Sequence, residues 1–164
     1  MTSAPALVPE LLVTDLAASL DFWVSLCGFE IRYERMDERF AAIALGSAHV
    51  MLDQIGVGRD WVPAPLERPL GRGVNFEIAV PSIEPLLERL AVAGWQLFLA
   101  PEEKTYRTGV SEVRVSQFLV QDPDGYLLRF TSRAGRRRCP RSFPPPRPSA
   151  RPRRREPPRR RLSP

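Results

Sequence analysis

Apolar and polar positions fall in blocks whose period switches between two residues and three to four, and the switches run twice in the same order. Val8 to Val13 is a short apolar segment interrupted by Glu10 and reads as a strand. Thr14-Asp15 supplies side-chain oxygens that can cap a helix, and Leu16, Leu20, Trp23, Val24 and Cys27 then recur at three- and four-residue spacing up to Gly28. That pattern predicts one amphipathic helix. Phe29, Ile31 and Tyr33 alternate with Glu30, Arg32 and Glu34, which predicts a half-buried strand over 29–36. Phe40 to Leu45 and His49 to Ile55 read as two more strands, joined through Gly46-Ser47.

Gly56 to Arg72 carries three prolines together with Gly56, Gly58 and Gly71, and reads as a linker with a possible binding tip at Asp60-Trp61. Then the order repeats. Gly73 to Val80 is a strand, Pro81 to Gly94 a helix built on Ile83, Leu86, Leu87, Leu90 and Val92, and Trp95 to Leu99 a strand. A loop inserted around Glu102 to Val110 leads to strands over Glu112 to Val120 and Tyr126 to Phe130. Between the last two, Asp122-Pro123-Asp124-Gly125 is turn chemistry: Pro123 presets its own φ and Gly125 tolerates a positive one.

The prediction is an α+β fold of two tandem βαβββ modules whose curled mixed sheet surrounds a cleft. The domain covers 1–133, with module one at 7–56, a linker at 57–72 and module two at 73–133. Each half alone leaves one sheet face unburied, so two halves, from one chain or from two, must close it. With 164 residues and 43% hydrophobic content, one core is the expectation.

Charge divides the chain at the same boundary. Residues 1–133 hold 12 Lys+Arg against 18 Asp+Glu, a balance of −6, whereas 134–164 hold 12 Arg against Glu156, a balance of +11. The segment 134–164 also carries 9 of the 18 prolines and, among larger apolar side chains, only Phe143 and Leu162. It cannot offset its ordering entropy, so a disordered basic Arg/Pro-rich tail is expected. Such a tail can meet nucleic acid by counterion release but has no aromatic platform to read sequence with. Cys27 and Cys139 have neither metal nor redox spacing, and no long apolar run or signal peptide is evident. The expectation is a cytoplasmic protein without membrane or nucleic-acid partners, unless through the tail.

Three stretches resemble a known family: Val-Pro-Glu-Leu-Leu-Val-Thr-Asp-Leu (8–16) followed by Asp-Phe-Trp (21–23) and Cys-Gly-Phe (27–29), Gly-Arg-Gly-Val-Asn-Phe (71–76), and Phe-Leu-Val-Gln-Asp-Pro-Asp-Gly-Tyr-Leu-Leu-Arg-Phe (118–130). They look like the vicinal oxygen chelate superfamily, which spans glyoxalases, bleomycin resistance proteins and dioxygenases, and most like the bleomycin resistance proteins. The metal-dependent enzymes of that superfamily place His or Glu ligands at positions that here hold Val8, Asp53, Asn75 and Arg129. Asp53 alone of these is a plausible metal ligand, and the single histidine, His49, excludes a site with two imidazoles. No metal or other cofactor is therefore expected.

The resemblance implies a metal-free homodimer that confers antibiotic resistance by sequestering a bleomycin-like molecule, flat and cationic, in crevices between chains. The alternative within the superfamily is a metal-dependent lyase, dioxygenase or thiol transferase. A third reading, from a different class, is a nucleic-acid-associated protein whose tail is the working part. For the crevice, the aromatic candidates are Tyr33, Phe40, Trp61 and Tyr106, and the acidic ones Glu10, Glu77, Asp60 and Glu102, with Glu103 nearby. Alternation places Glu10 and Glu77 on matching faces of the first and fifth strands, where they either line the cleft or pair with Arg129, Arg114 or Arg32. Phe22, Trp23, Trp95 and Phe98 go to core packing or the dimer seam. Arg32 stands where a well-known member of the family carries an acidic residue.

Overall fold

A computed structural model of the chain describes residues 5–59, 61–108 and 111–138, and the side chains of these apart from 108, 111 and 134–138. Module one runs β1 (Glu10–Val13), α1 (Leu16–Leu20), β2 (Glu30–Arg35), β3 (Phe40–Leu45) and β4 (Ala48–Gln54). Module two runs β5 (Asn75–Ala79), α2 (Glu84–Val92), β6 (Leu97–Thr108), β7 (Ser111–Gln121) and β8 (Leu127–Arg138). Each module folds a four-stranded mixed sheet of the same order, β1-β4-β3-β2 and β5-β8-β7-β6. The first strand pairs parallel with the last and the other pairings are antiparallel. The tandem βαβββ architecture expected from the sequence is the one observed.

One face of each sheet turns to a shared core. Leu11 and Val13 of β1, Ala41 and Ile43 of β3, and Val50 and Leu52 of β4 join Ile78, Phe118, Val120, Leu128 and Phe130 of module two around the helices. Alternation then sends Glu10, Phe40, Ala42, Ala44, His49 and Met51 to the opposite face of the first sheet, and Glu77, Arg129, Thr131, Gln117 and Glu102 to the opposite face of the second. Those outer faces are where a ligand can reach the molecule.

Helix α1 starts as its sequence dictates: the Asp15 carboxylate accepts from the Ala17 and Ala18 amides at 2.9 and 3.2 Å. It does not continue as the single regular helix expected up to Cys27. From Asp21 to Leu26 it winds as a π-helix, with the Cys27 amide reaching the Phe22 carbonyl at 3.0 Å. The wider turn lets two consecutive side chains, Phe22 and Trp23, both face the core, at 1% and 0% exposure. Phe22 then packs on Trp95 of module two with ring centroids 4.8 Å apart.

Two boundaries differ from the sequence reading. The expected loop at Glu102 to Val110 is strand through Thr108: β6 pairs β7 from Leu97↔Val120 to Thr108↔Ser111, with register shifts up to Glu102. Pro101 interrupts the apolar run, and the residues beyond it are polar on both faces, so no period marked the strand. β8 likewise continues to Arg138, five residues past the expected end of the domain, because Ser111 to Val113 give it a partner strand. Residues 139–164 of the expected tail lie outside the described residues.

The modules are locked at the Asp122 to Gly125 turn. Asp124, 1% exposed, accepts from the Thr14 amide at 3.0 Å, the Thr14 hydroxyl at 2.7 Å and Arg68 of the linker at 2.5 Å. Asp122 accepts from Trp23 Nε1 at 3.2 Å and from the Asp124 and Tyr126 amides at 3.0 and 2.9 Å. Gly125, at φ +94°, packs so closely on Pro69 that a Cβ there would collide with it. The linker is thus a strap over the turn. Among the described residues no helix is long and apolar enough to cross a membrane.

Candidate functional site

The outer face of the first sheet is hollowed into a cup of about 970 Å³. Its floor is Ala42 and Ala44 of β3 with Met51 and His49 of β4; Val8, Tyr33 and Arg32 form its walls. The run Phe40-Ala-Ala-Ile-Ala-Leu45 explains the hollow. Its inward positions carry Ala41 and Ile43 for the core, while the outward ones carry only methyl groups at Ala42 and Ala44, so the sheet surface sinks between larger neighbours.

Tyr33 reaches this cup through an irregularity. Ile31 lies opposite Ile43, yet Tyr33 lies opposite Ala42, so β2 spends one residue more than β3 and Arg32 is the extra one. Strict alternation would have put Ile31 and Tyr33 on one face. The bulge instead turns Tyr33 and Arg35 outward, where Tyr33 remains 48% exposed.

Phe40 is on the same face but covered. Tyr33 stacks on it with ring centroids 5.9 Å apart, and the Arg35 guanidinium lies over its ring at 3.7 Å, leaving Phe40 2% exposed. Arg35 is held in turn by Glu38 at 2.6 Å, and that hydrogen bond first, with the more distant Asp53 last, raises its already high pKa. Phe40, expected among the ligand contacts, is thus covered here, with a protein cation on its open side. Of the aromatic pair, Tyr33 is the accessible member.

The remaining candidates are spread over the second sheet and the linker. Tyr106 stands on β6, not in a loop, 41% exposed, and donates its hydroxyl to Gln117 Oε1 at 3.3 Å. Gln117, 5% exposed, donates from Nε2 to Glu102 at 2.8 Å, and Glu102 also meets Lys104 at 3.4 Å. Glu77 pairs with Arg129 at 2.5 Å and accepts from Thr131 at 3.4 Å, so its ion-pair alternative is realised. Glu10 is exposed beside Met51, Trp61 is 76% exposed in the linker, and Phe98, expected in the core or a seam, is 62% exposed. Asp60 lies outside the described residues.

The four positions that the resemblance implies for metal ligands do not assemble a donor set. Val8 lines the cup, Asn75 is exposed, Arg129 is engaged by Glu77, and Asp53 lies beneath the Gly58 loop. Among the described residues no three His, Cys, Asp or Glu side chains come together. Cys27, the one cysteine among the described residues, is no ready nucleophile, because burial pushes its pKa far above its ordinary value.

Sequence reasoning missed Ala42, Ala44, Met51 and Gln117. The first two were legible as small residues on alternate positions of a strand. Gln117 was not, since its importance lies in neighbours on β6 that the sequence placed in a loop.

The profile described as Glyoxalase/Bleomycin resistance protein/Dioxygenase superfamily matches residues 6–130. A solved member of that superfamily from Vibrio splendidus 12B01 is 40% identical over 76% of this chain and 95% of its own, at a TM-score of 0.35. TioX from Micromonospora sp. ML1 is 22% identical over 80% of this chain and all of its own, at 0.60. A virulence protein from Salmonella typhimurium is 19% identical over 82% of this chain and all of its own, at 0.58. The chain matches no curated protein.

Proposed function

The chain belongs to the glyoxalase/bleomycin resistance protein/dioxygenase superfamily, and from that premise we propose that it is a metal-free binding protein that sequesters a flat, drug-like small molecule in the cup of module one. The cup is the observation that carries this reading. Its volume of about 970 Å³ suits a molecule of drug size. The alanine floor leaves room for a planar group, and Tyr33 offers it a half-exposed ring face. Turnover would require a Lewis acid or an acid-base pair, and the donors at the family's metal positions do not converge.

The crevice is completed by a second copy of the chain. Each sheet spends one face on the chain's own core, which leaves the cup roofless within a single chain. The second sheet of a partner, with Tyr106, Glu102 and Gln117 on its outer face, is the complementary surface.

Calorimetric titration of the full chain with metal-free bleomycin and, separately, with the neutral planar probe 2-naphthol tests the proposal. Saturation near one ligand per chain is expected for at least one of them, unchanged by a chelator and weakened about tenfold or more by Tyr33→Ala. Binding of neither, or a metal-dependent conversion of a glyoxalase or dioxygenase substrate, overturns it. Binding of 2-naphthol without bleomycin keeps the sequestering function and removes that drug as its object.

A further inference from the structure

The bulge that turns Tyr33 into the cup also decides which charge the cup presents. Successive residues of a regular strand point to opposite faces, so Arg32 and Tyr33 should not share a site. Here both line the cup, because Arg32 is the extra residue of the bulge. Arg32 is the one permanently charged side chain in the lining, and no carboxylate is among the lining residues. Arg35, Arg68, Arg72 and Arg129 each pair with a carboxylate, whereas Arg32 makes no ion pair with any described residue. The acids around the cup stand outside its lining but on the same face: Glu30 is in register with Ala44, Glu10 with Met51 and Asp53 with Phe40.

We propose that the cup selects flat anions: an aromatic ring carrying a carboxylate, its face on Tyr33 and the alanine floor, its charged group met by the Arg32 guanidinium. This deepens the reading of the cup as the ligand site and rests on it. It also departs from a cationic ligand, the class expected from family resemblance. A planar guanidinium with no internal partner has two parallel donors to offer a carboxylate, while a ligand cation would meet like charge with no carboxylate in the cup's own lining to offset it, and Glu102 of the roofing sheet is already engaged by Gln117 and Lys104. Most of the −6 balance over residues 1–133 acts from a distance and is screened beyond about 8 Å at physiological salt, while Glu10 and Glu30 at the rim are exposed to solvent. Contact with Arg32 operates inside that range and prevails.

Three probes of one shape separate charge from stacking: 2-naphthoate, 2-naphthol and 2-naphthylmethylammonium, each titrated calorimetrically into the full chain near neutral pH and about 0.15 M salt. The naphthoate is expected to bind about tenfold or more tightly than the ammonium, with the naphthol between them. Arg32→Gln should weaken the naphthoate about tenfold and leave the naphthol within about twofold, which also shows that the variant is folded. Arg32→Lys should retain most of the preference, and Tyr33→Ala should weaken all three. An ammonium that binds as well as the naphthoate overturns the inference while the cup remains a ligand site. A naphthoate preference that survives Arg32→Gln overturns it too, by placing the anion on the basic tail. If no probe binds in a Tyr33-dependent way, the site itself is refuted, and the inference with it.

Discussion

Asp122 is a carboxylate enclosed by two modules and satisfied by three donors, yet its pKa is raised from its ordinary value. Burial is the largest cause and outweighs the hydrogen bonds from Tyr126, Trp23 and Asp124 that pull the other way. A carboxyl whose folded pKa is raised contributes a stability increment that is present in full below its unfolded value of 3.8 and lost as pH rises through the folded value. Comparing wild type with Asp122→Asn in urea melts should therefore show the wild type's relative advantage largest below pH 3.8 and shrinking toward neutrality. A difference independent of pH would contradict the assignment. The same burial pushes the Tyr126 hydroxyl up to about 12, so it stays protonated and keeps donating to the Leu12 carbonyl at 3.1 Å. At this scale the sequence showed the turn chemistry of Asp122 to Gly125. It could not show that both carboxylates point inward, because their partners Trp23, Thr14 and Arg68 lie 56 or more residues away in the chain.

Elements interact here through the linker as much as through the sheets. Arg68 bridges the Asp124 carboxylate, the Thr14 hydroxyl at 2.7 Å and the Pro123 carbonyl at 3.1 Å, and so ties the strap to both modules at once. The Arg68 side chain is 57% exposed and Asp124 only 1%, so solvent screens one partner and not the other. Arg68→Ala still leaves Asp124 its two bonds from Thr14. The expected loss is about 1–2 kcal/mol, read as a lower urea midpoint with an unchanged slope. A lower slope would mean that the modules had come apart separately. Most elements were legible from period alone, with three instructive exceptions. The π-helical turn, the strand beyond Pro101 and the bulge at Arg32 each depend on which neighbour the backbone finds, and periodicity carries no record of the neighbour. For the candidate site the bulge matters most, since alternation put Tyr33 beside Ile31 and the register put it beside Arg32.

Across the whole molecule, both sheets spend their inner faces on one core and leave large side chains on the others, among them Tyr33 at 48% and Tyr106 at 41% exposure. Sedimentation of the full chain is expected to give twice its 18.5 kDa mass, with Tyr106→Asp shifting it toward the monomer and weakening ligand binding in parallel. A monomeric chain that still binds ligand would show that the cup needs no roof. Ending the chain at Arg138 should leave its urea midpoint unchanged, because the residues removed carry almost no apolar surface to bury.

The sequence by itself determined the two βαβββ modules, the linker between them, the turn at Asp122 to Gly125 and the acidic domain set against a basic tail, since each of these is written in local period, composition or turn chemistry. It also showed Val8, Asn75 and Arg129 beside Asp53 at the positions that the family resemblance implies for metal ligands. Only the tertiary structure decided that Phe40 is covered by Arg35, that Tyr106 belongs to a strand, and that Arg32 and Tyr33 open into the same cup. Those facts depend on strand register, and register is a relation between segments distant in the chain. A one-residue shift in it exchanges the faces of every side chain that follows.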